Sequence, residues 1–433
     1  MSGTGAGPVS LSRVLDSNTT QQDDLRGGRA PWRTGGRPHR LDLTADRRCE
    51  VLIVGAGITG AMMAEHLTAQ GHGVCIIDRE RPGFGSTAAS TAMLQWEIDR
   101  PLTELTQLYG FERAANAYRR SLQAVSRLRE LIETRQLACA FRPRRSLYLA
   151  SGEGDGATEL LAEHRLRERA GLPGFYLDHA TLLREFGVAR EAAILSPGSA
   201  DADPMCLSHT LLSVAQKGGA LLYDAEATGY HTTGDGRHSS IAVSLDSGHT
   251  IEAERVVLAT GYVMPACVKT EMHRASSSWA IATPPQEPLG RAGVLAQGVL
   301  VWEAADPYFY ARTTTDGRII MGGEDDDSLT DPAERDAATP AKTETILKKL
   351  AVLCPEADAS AATAWSGAFS QTSDGLPLIG RVPGYPRLYA AYGYGGNGIT
   401  FSFMAARMIG QLIAGHDEAW YEDFAVDRPP PVK

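Results

Sequence analysis

The chain has 433 residues, 43% of them hydrophobic and 22% charged, which suits a globular protein whose core is shared between two or more domains. A formal net charge of -10, with no stripe of Lys and Arg interleaved with aromatics, speaks against nucleic acid and anionic lipid as partners. The six cysteines form no CxxC pair, no apolar run reaches the roughly 18 residues of a membrane span, and the first residues lack a signal-peptide plan, so a cytoplasmic protein with reduced thiols is expected.

In chain order, residues 1–40 are rich in Gly, Ser, Thr, Arg and Pro without periodicity and read as a flexible tail, except that Trp32 is expected to dock on the body. From Cys49 to Ile77 an apolar strand, a glycine turn, an apolar helix and a second apolar strand spell one βαβ unit of a parallel sheet. Residues 103–136 carry apolar positions at helical spacing and predict one long helix. Short strands follow in SLYLA, VLVWEA, YFYART and RIIMGG, the style of an antiparallel sheet, whereas RVVLATG and PLIG...LYAAYG read as strands returning to the first domain.

In VLIVGAGITG, Gly55, Gly57 and Gly60 follow a buried strand and open a helix, the context a dinucleotide fingerprint requires. Gly55 allows the tight turn, Gly57 lets the backbone approach a pyrophosphate, Gly60 permits close helix–strand packing, and the helix start supplies positive potential. Asp78 ends the second strand where a carboxylate can accept ribose hydroxyls. Near the other end, a second strand runs into a glycine-dense turn (Gly393, Gly395, Gly396, Gly398) and a helix closed by Gly415. A helix start aimed inward stabilises the negative charge of a reduced flavin, a need that a nicotinamide lacks.

Taken together, VLIVGAGITG with Asp78, GFGSTAASTAMLQWE, VVLATGY, YFYAR, GRIIMGGE, TSDGLPLIGR and GGNGIT resemble, in the same order over about residues 49 to 416, the D-amino acid oxidase-like flavoproteins, which include glycine, sarcosine and gamma-glutamylputrescine oxidases. The resemblance implies FAD as cofactor, an α/β fold with a Rossmann-like FAD-binding domain and a substrate domain of mainly antiparallel sheet and helices, and oxidation of a carbon–nitrogen bond in an amine or amino acid. On that basis the FAD-binding domain is expected at 41–140, 201–265 and 362–433, and the substrate domain at 141–200 and 266–361. Carried over residue by residue, Ile58 and Thr59 join the glycine turn, and Arg79 stands beside Asp78. Ser86, Thr87, Ser90, Thr91 and Leu94 line the flavin, and Ala259, Thr260 and Gly261 pass its adenosine side. Gly395, Gly396, Asn397, Gly398 and Thr400 hold the ring end. Gly367 falls where sarcosine oxidases carry a cysteine for covalent flavin, and GSTAASTAM contains no histidine, so non-covalent FAD is implied. Ile320 falls where those oxidases place the lysine that activates dioxygen, which leaves dioxygen and another electron acceptor both open.

For the substrate, strand alternation puts Tyr308, Tyr310 and Arg312 on one face, with Arg312 matching a carboxylate-holding position of glycine oxidase-like members. Arg381 in LIGR is a second candidate of that kind, Trp279 a candidate aromatic wall, and Glu97 a candidate for a cationic group. The histidines show no metal-ligand spacing and no Ser-His-Asp arrangement, so no metal is expected. The alternatives are a dehydrogenase using a non-oxygen acceptor, a flavin-dependent tailoring monooxygenase, and a non-catalytic flavin-binding scaffold.

Overall fold

In a computed structural model, residues 25–32, 36–152, 155–234, 239–287 and 293–431 are described. Of the tail expected over residues 1–40, residues 1–24 and 33–35 lie outside them. Two sheets organise the rest. In the first, Arg47–Val54 pairs in parallel with Val74–Asp78 on one side and Thr250–Leu258 on the other; Leu221–Asp224 and Tyr385–Tyr392 extend the parallel set. Val51 to Val54 are buried on both faces, which explains why that strand is a continuous apolar run rather than an alternating one. The helix Ile58–Ala69 follows it, packs against Pro204–Lys217 and Gly398–Ile413, and is apolar nearly all round because it has little free face.

The second sheet has ten strands among the described residues. Its neighbours run antiparallel, as the alternating strands predicted, apart from Leu300–Glu303, which lies parallel to Arg142–Leu149. The helix Pro332–Leu353 covers it, started by Asp331, whose side chain accepts from the Ala333 and Glu334 amides.

Four expectations change. The helix predicted over 103–136 is two helices, Leu102–Tyr109 and Phe111–Arg135, because Gly110 between them adopts φ 78 and ψ 158, a conformation that ends one helix and redirects the chain. Within the segment read as tail, Arg26–Gly28 pairs with Trp365 to Gly367 and forms the edge of the ten-stranded sheet. Thr363–Thr372 also belongs to that sheet, so the chain returns to the first sheet only at Leu378–Val382, later than the expected boundary at 362. Met93–Leu94, in the stretch assigned to the first domain, pairs with Ala200 and Asp201 of the second sheet. The Trp32 expectation holds: its indole N–H donates to the Ser90 carbonyl at 2.9 Å.

Candidate cofactor and substrate cavity

Between the two sheets lies a cavity of about 560 Å³ that runs from the glycine turn to a cluster of aromatic side chains. At the turn, Gly55 has φ 109, and a Cβ there would strike the Ala259 carbonyl. A Cβ on Gly60 would strike the Gly55 carbonyl, so this glycine serves the packing of helix on strand and does not line the cavity. Gly57, Ile58 and Thr59 do line it. Gly57 supplies no side-chain cap to the helix start and the first turn carries no acid, so the helix keeps its positive potential toward the cavity although the neutral Thr87 hydroxyl accepts the Ile58 amide.

Asp78 lines the same end. Its carboxylate accepts the Ala56 amide at 2.6 Å and the Glu80 amide at 2.8 Å, and burial pushes it up to about 6. It therefore fastens the turn as well as facing the cavity. Arg79, 3.4 Å from Glu226, together with Ala259, Thr260 and Gly261, completes this wall.

The short helix Ser86–Ala89 is tied to the turn by the Ile58 amide, which donates to Thr87 Oγ1 at 2.9 Å. Ser86 Oγ is buried with no hydrogen-bond partner and belongs to the cavity wall, an orphaned polar atom of the kind a bound polar group satisfies. Ser90, Thr91, Gly395, Gly396 and Gly398 also line the space. The helix Gly398–Ile413 begins there without a side-chain cap. These features fit a dinucleotide with a second anionic region at its far end.

Three residues expected to touch the cofactor act from behind the wall. Leu94 is fully buried in the core, while its neighbours Met93 and Gln95 line the cavity, because side chains alternate along the strand. Asn397 is buried; its amide N–H groups donate to the Glu97 carbonyl at 2.8 Å and the Gln95 carbonyl at 3.3 Å, and its oxygen accepts the Asp99 amide. Thr400 likewise donates to the Gln95 carbonyl at 2.8 Å. Both pin the 95–99 segment against the glycine turn.

At the aromatic end, Tyr308 and Tyr310 line the cavity with ring centroids 6.0 Å apart, as strand alternation predicted, and Trp279 lines it too while its indole N–H donates to the Arg335 carbonyl at 3.2 Å. Arg312 departs from expectation. Its guanidinium turns under the wall, donates to the carbonyls of Thr91 at 2.6 Å and Ala202 at 2.9 Å, and lies 3.4 Å from Asp201 and under the Trp32 ring. It is nearly fully buried and does not line the cavity, so it has no face to offer a substrate carboxylate. Arg381 is on the outer surface, paired with Asp417 at 2.6 Å. Glu97 is buried beside the hydroxyls of Ser146 and Ser199 and is not in the wall.

Sequence reasoning missed Leu25, Gln95, Asp99, Tyr262, Ser278, Trp302 and Phe369, all in the wall. Tyr262 had a readable signal, since it follows directly on ATG, and its ring lies 6.3 Å from that of Phe369. Asp99 had none. It accepts the Gly396 amide and stands in the open space of the cavity, yet the surrounding protein pushes its carboxyl up to about 6.

The DAO family model, described as FAD dependent oxidoreductase, matches residues 50–412. The chain is 25% identical over 377 residues to gamma-glutamylputrescine oxidoreductase of Escherichia coli K12, covering 86% of this chain and 84% of that protein. It is 26% identical over 394 residues to glycine oxidase of Geobacillus kaustophilus, covering 86% and 95%. The crystal structure of the Geobacillus glycine oxidase superposes with a TM-score of 0.71 at 22% identity, over 88% of this chain and 99% of that one.

Proposed function

The chain belongs to the DAO family of FAD dependent oxidoreductases, and from that premise we propose that it oxidises the carbon–nitrogen bond of an amine or amino acid to an imine, which water then hydrolyses. The enzyme is FAD-dependent. The observation that carries the reading is one cavity joining the acid-free helix start at Gly57 to an aromatic chamber by the helix start at Gly398.

Bound FAD supplies the acceptor for the hydride leaving the nitrogen-bearing carbon. The chain's own residues bind and orient. Asp78 and Arg79, with Ala259 to Gly261, would hold the adenosine side; the amides of the Gly55 to Thr59 turn would face the pyrophosphate; Ser86, Thr87, Ser90, Thr91 and the Gly395 to Gly398 turn would flank the ring. Gly60, Leu94, Asn397 and Thr400 hold these segments in place. Tyr308, Tyr310, Trp279 and Phe369 exclude water from the reacting carbon. The wall holds no histidine or lysine among the described residues, which suits a substrate amine that binds deprotonated and needs no protein base. Gly367, in the wall, offers no thiol to the cofactor, which supports FAD held without a covalent bond. Ile320 is buried in a core cluster with Ala280, Ala282 and Trp365 rather than in the wall, and this supports an acceptor other than dioxygen as the second reading.

The test is anaerobic spectroscopy of the FAD-loaded enzyme against a panel of amines and amino acids, followed by admission of air. Bleaching of the flavin band identifies the amine, and fast recovery in air an oxidase. Slow recovery identifies a dehydrogenase, while bleaching by none of the panel sinks the proposal.

A further inference from the structure

With Arg312 and Arg381 engaged elsewhere, Arg79 is the one Lys or Arg among the described wall residues, and it belongs to the end marked by Asp78 and Glu226. The two lysines near the aromatic end are also taken. Lys342 pairs with Asp326 at 3.2 Å over the Trp279 ring, and Lys349 pairs with Glu324 at 2.6 Å. A substrate carboxylate would thus find no charged partner in the chamber and would face acids instead. Asp99 stands in the wall. Asp325 accepts the Tyr308 hydroxyl at 2.9 Å, one hydrogen bond behind the wall, and its other carboxylate oxygen, Oδ1, is buried with no hydrogen-bond partner. The two carboxylates are close enough that the charge on Asp99 raises the affinity of Asp325 for its proton. Tyr262, Tyr308, Tyr310 and Trp302 line the same cavity. Carboxylates together with aromatic side chains suit an ammonium or guanidinium group and are hostile to an anion.

Building on the proposed amine oxidation, we propose that Asp99 and Asp325 form a cation subsite, and that the substrate is an amine carrying a second positive charge rather than an α-amino carboxylate. Asp99 meets that second charge directly. Asp325 adds a second negative charge through Tyr308, and the aromatic faces enclose the methylene spacer. Specificity arises as much from rejection as from attraction, because a carboxylate placed there would be desolvated beside two acids.

The experiment measures binding and turnover separately on the FAD-loaded enzyme without oxygen. Calorimetric titration compares 1,4-diaminobutane, butylamine and 4-aminobutanoate, which differ only in the far group. The diamine should bind at least about tenfold more tightly than butylamine, a difference of ~1.4 kcal/mol, and 4-aminobutanoate more weakly than either. Asp99→Asn and Asp325→Asn, each checked for FAD content and melting temperature, should bring the diamine and butylamine affinities together. If either variant fails to fold, the three-ligand comparison on the unsubstituted enzyme still decides. Equal affinities, tighter binding of 4-aminobutanoate, or no diamine binding at millimolar concentration would overturn the subsite. Selective diamine binding without flavin bleaching by any amine would keep the subsite and overturn amine oxidation.

Discussion

Arg312 and Asp201 lie 3.4 Å apart beneath the cavity floor, both almost fully buried, and the same Asp201 carboxylate also receives Arg142 at 2.6 Å and Arg144 at 3.0 Å. One acid thus gathers three guanidinium groups from two strands of the second sheet, Arg142–Leu149 and Phe309–Thr313, which flank Leu300–Glu303. Burial pulls Arg312 down to about 10 against the opposing pull of Asp201, and the Thr91 and Ala202 carbonyls add to its hydrogen bonding.

Arg312→Ala should therefore behave as a stability defect. Removing one partner from a buried pair costs about 3 kcal/mol, and it also leaves the Thr91 carbonyl, in the cavity-lining segment, without its donor. Denaturant unfolding should show that loss. FAD content should fall with it, and substrates with and without a carboxylate should be affected alike. A selective rise in KM for carboxylate substrates, at unchanged stability, would instead return Arg312 to the substrate site.

Asn397→Ala tests the link between the glycine turn and the 95–99 segment. The substitution removes two donated hydrogen bonds and one accepted one at a buried site, leaving the Glu97 carbonyl unpaired. A cost of about 1 to 3 kcal/mol is expected. Because the residue acts through the Gly395–Gly398 turn, the loss should appear chiefly as FAD affinity lowered by about tenfold or more, read by quenching of FAD fluorescence in titrations of apoprotein.

Gly110→Ala isolates a backbone effect. Nothing lies within 4 Å of the added methyl, so any cost comes from φ 78 and ψ 158, a region that only glycine occupies comfortably. About 1 to 3 kcal/mol of unfolding free energy should disappear, with FAD affinity unchanged.

The acid pair predicts an unusual pH response in the absence of a bound cation. Asp99 and Asp325 are each raised from 3.8 to about 6, Asp325 mainly by burial and Asp99 mainly by the loss of hydration among the protein groups around the cavity. Between those values the folded protein holds protons that the unfolded chain has released, so their contribution is fully present below about pH 4 and is lost as pH rises through about 6. The melting temperature of unliganded enzyme should carry a component that falls from pH 4 to 7, and Asp99→Asn with Asp325→Asn should remove it. An unaltered profile in the double variant would mean that neither carboxyl is raised.

How far these residues could be read from the sequence depends on what fixed them. The Gly55, Gly57 and Gly60 turn was legible because local geometry admits no other residue type, and Tyr308 and Tyr310 because strand alternation is a local rule. Arg312 obeyed that rule too, yet its destination depended on Asp201, 111 positions away in the chain, and pairing over such separations leaves no local trace. Leu94 shows the cost of a one-residue error: in a strand, a shift of one exchanges wall for core. Asp99 was invisible because its surroundings come from the far ends of the chain, Gly396 from one helix lead-in and Tyr308 and Tyr310 from the other sheet.

The segment around Trp32 supplies the last prediction. Compositional reading made it tail, but Leu25 lines the cavity, Arg26 donates to the Phe84 carbonyl at 2.7 Å, and Trp32 donates to the Ser90 carbonyl while covering Arg312. Those contacts clasp residues 84–90, the stretch that contains the orphaned Ser86 hydroxyl, from outside. Trp32→Ala should thus loosen a wall of the cofactor cavity and weaken FAD binding by about tenfold, ~1.4 kcal/mol. Trp32→Phe keeps the ring over the guanidinium but loses the indole donor, so its FAD affinity should fall between the two. Fluorescence titration of the three apoproteins gives the order. If both variants bind FAD as tightly as the unsubstituted protein while melting earlier, the segment supports the fold without shaping the cofactor site.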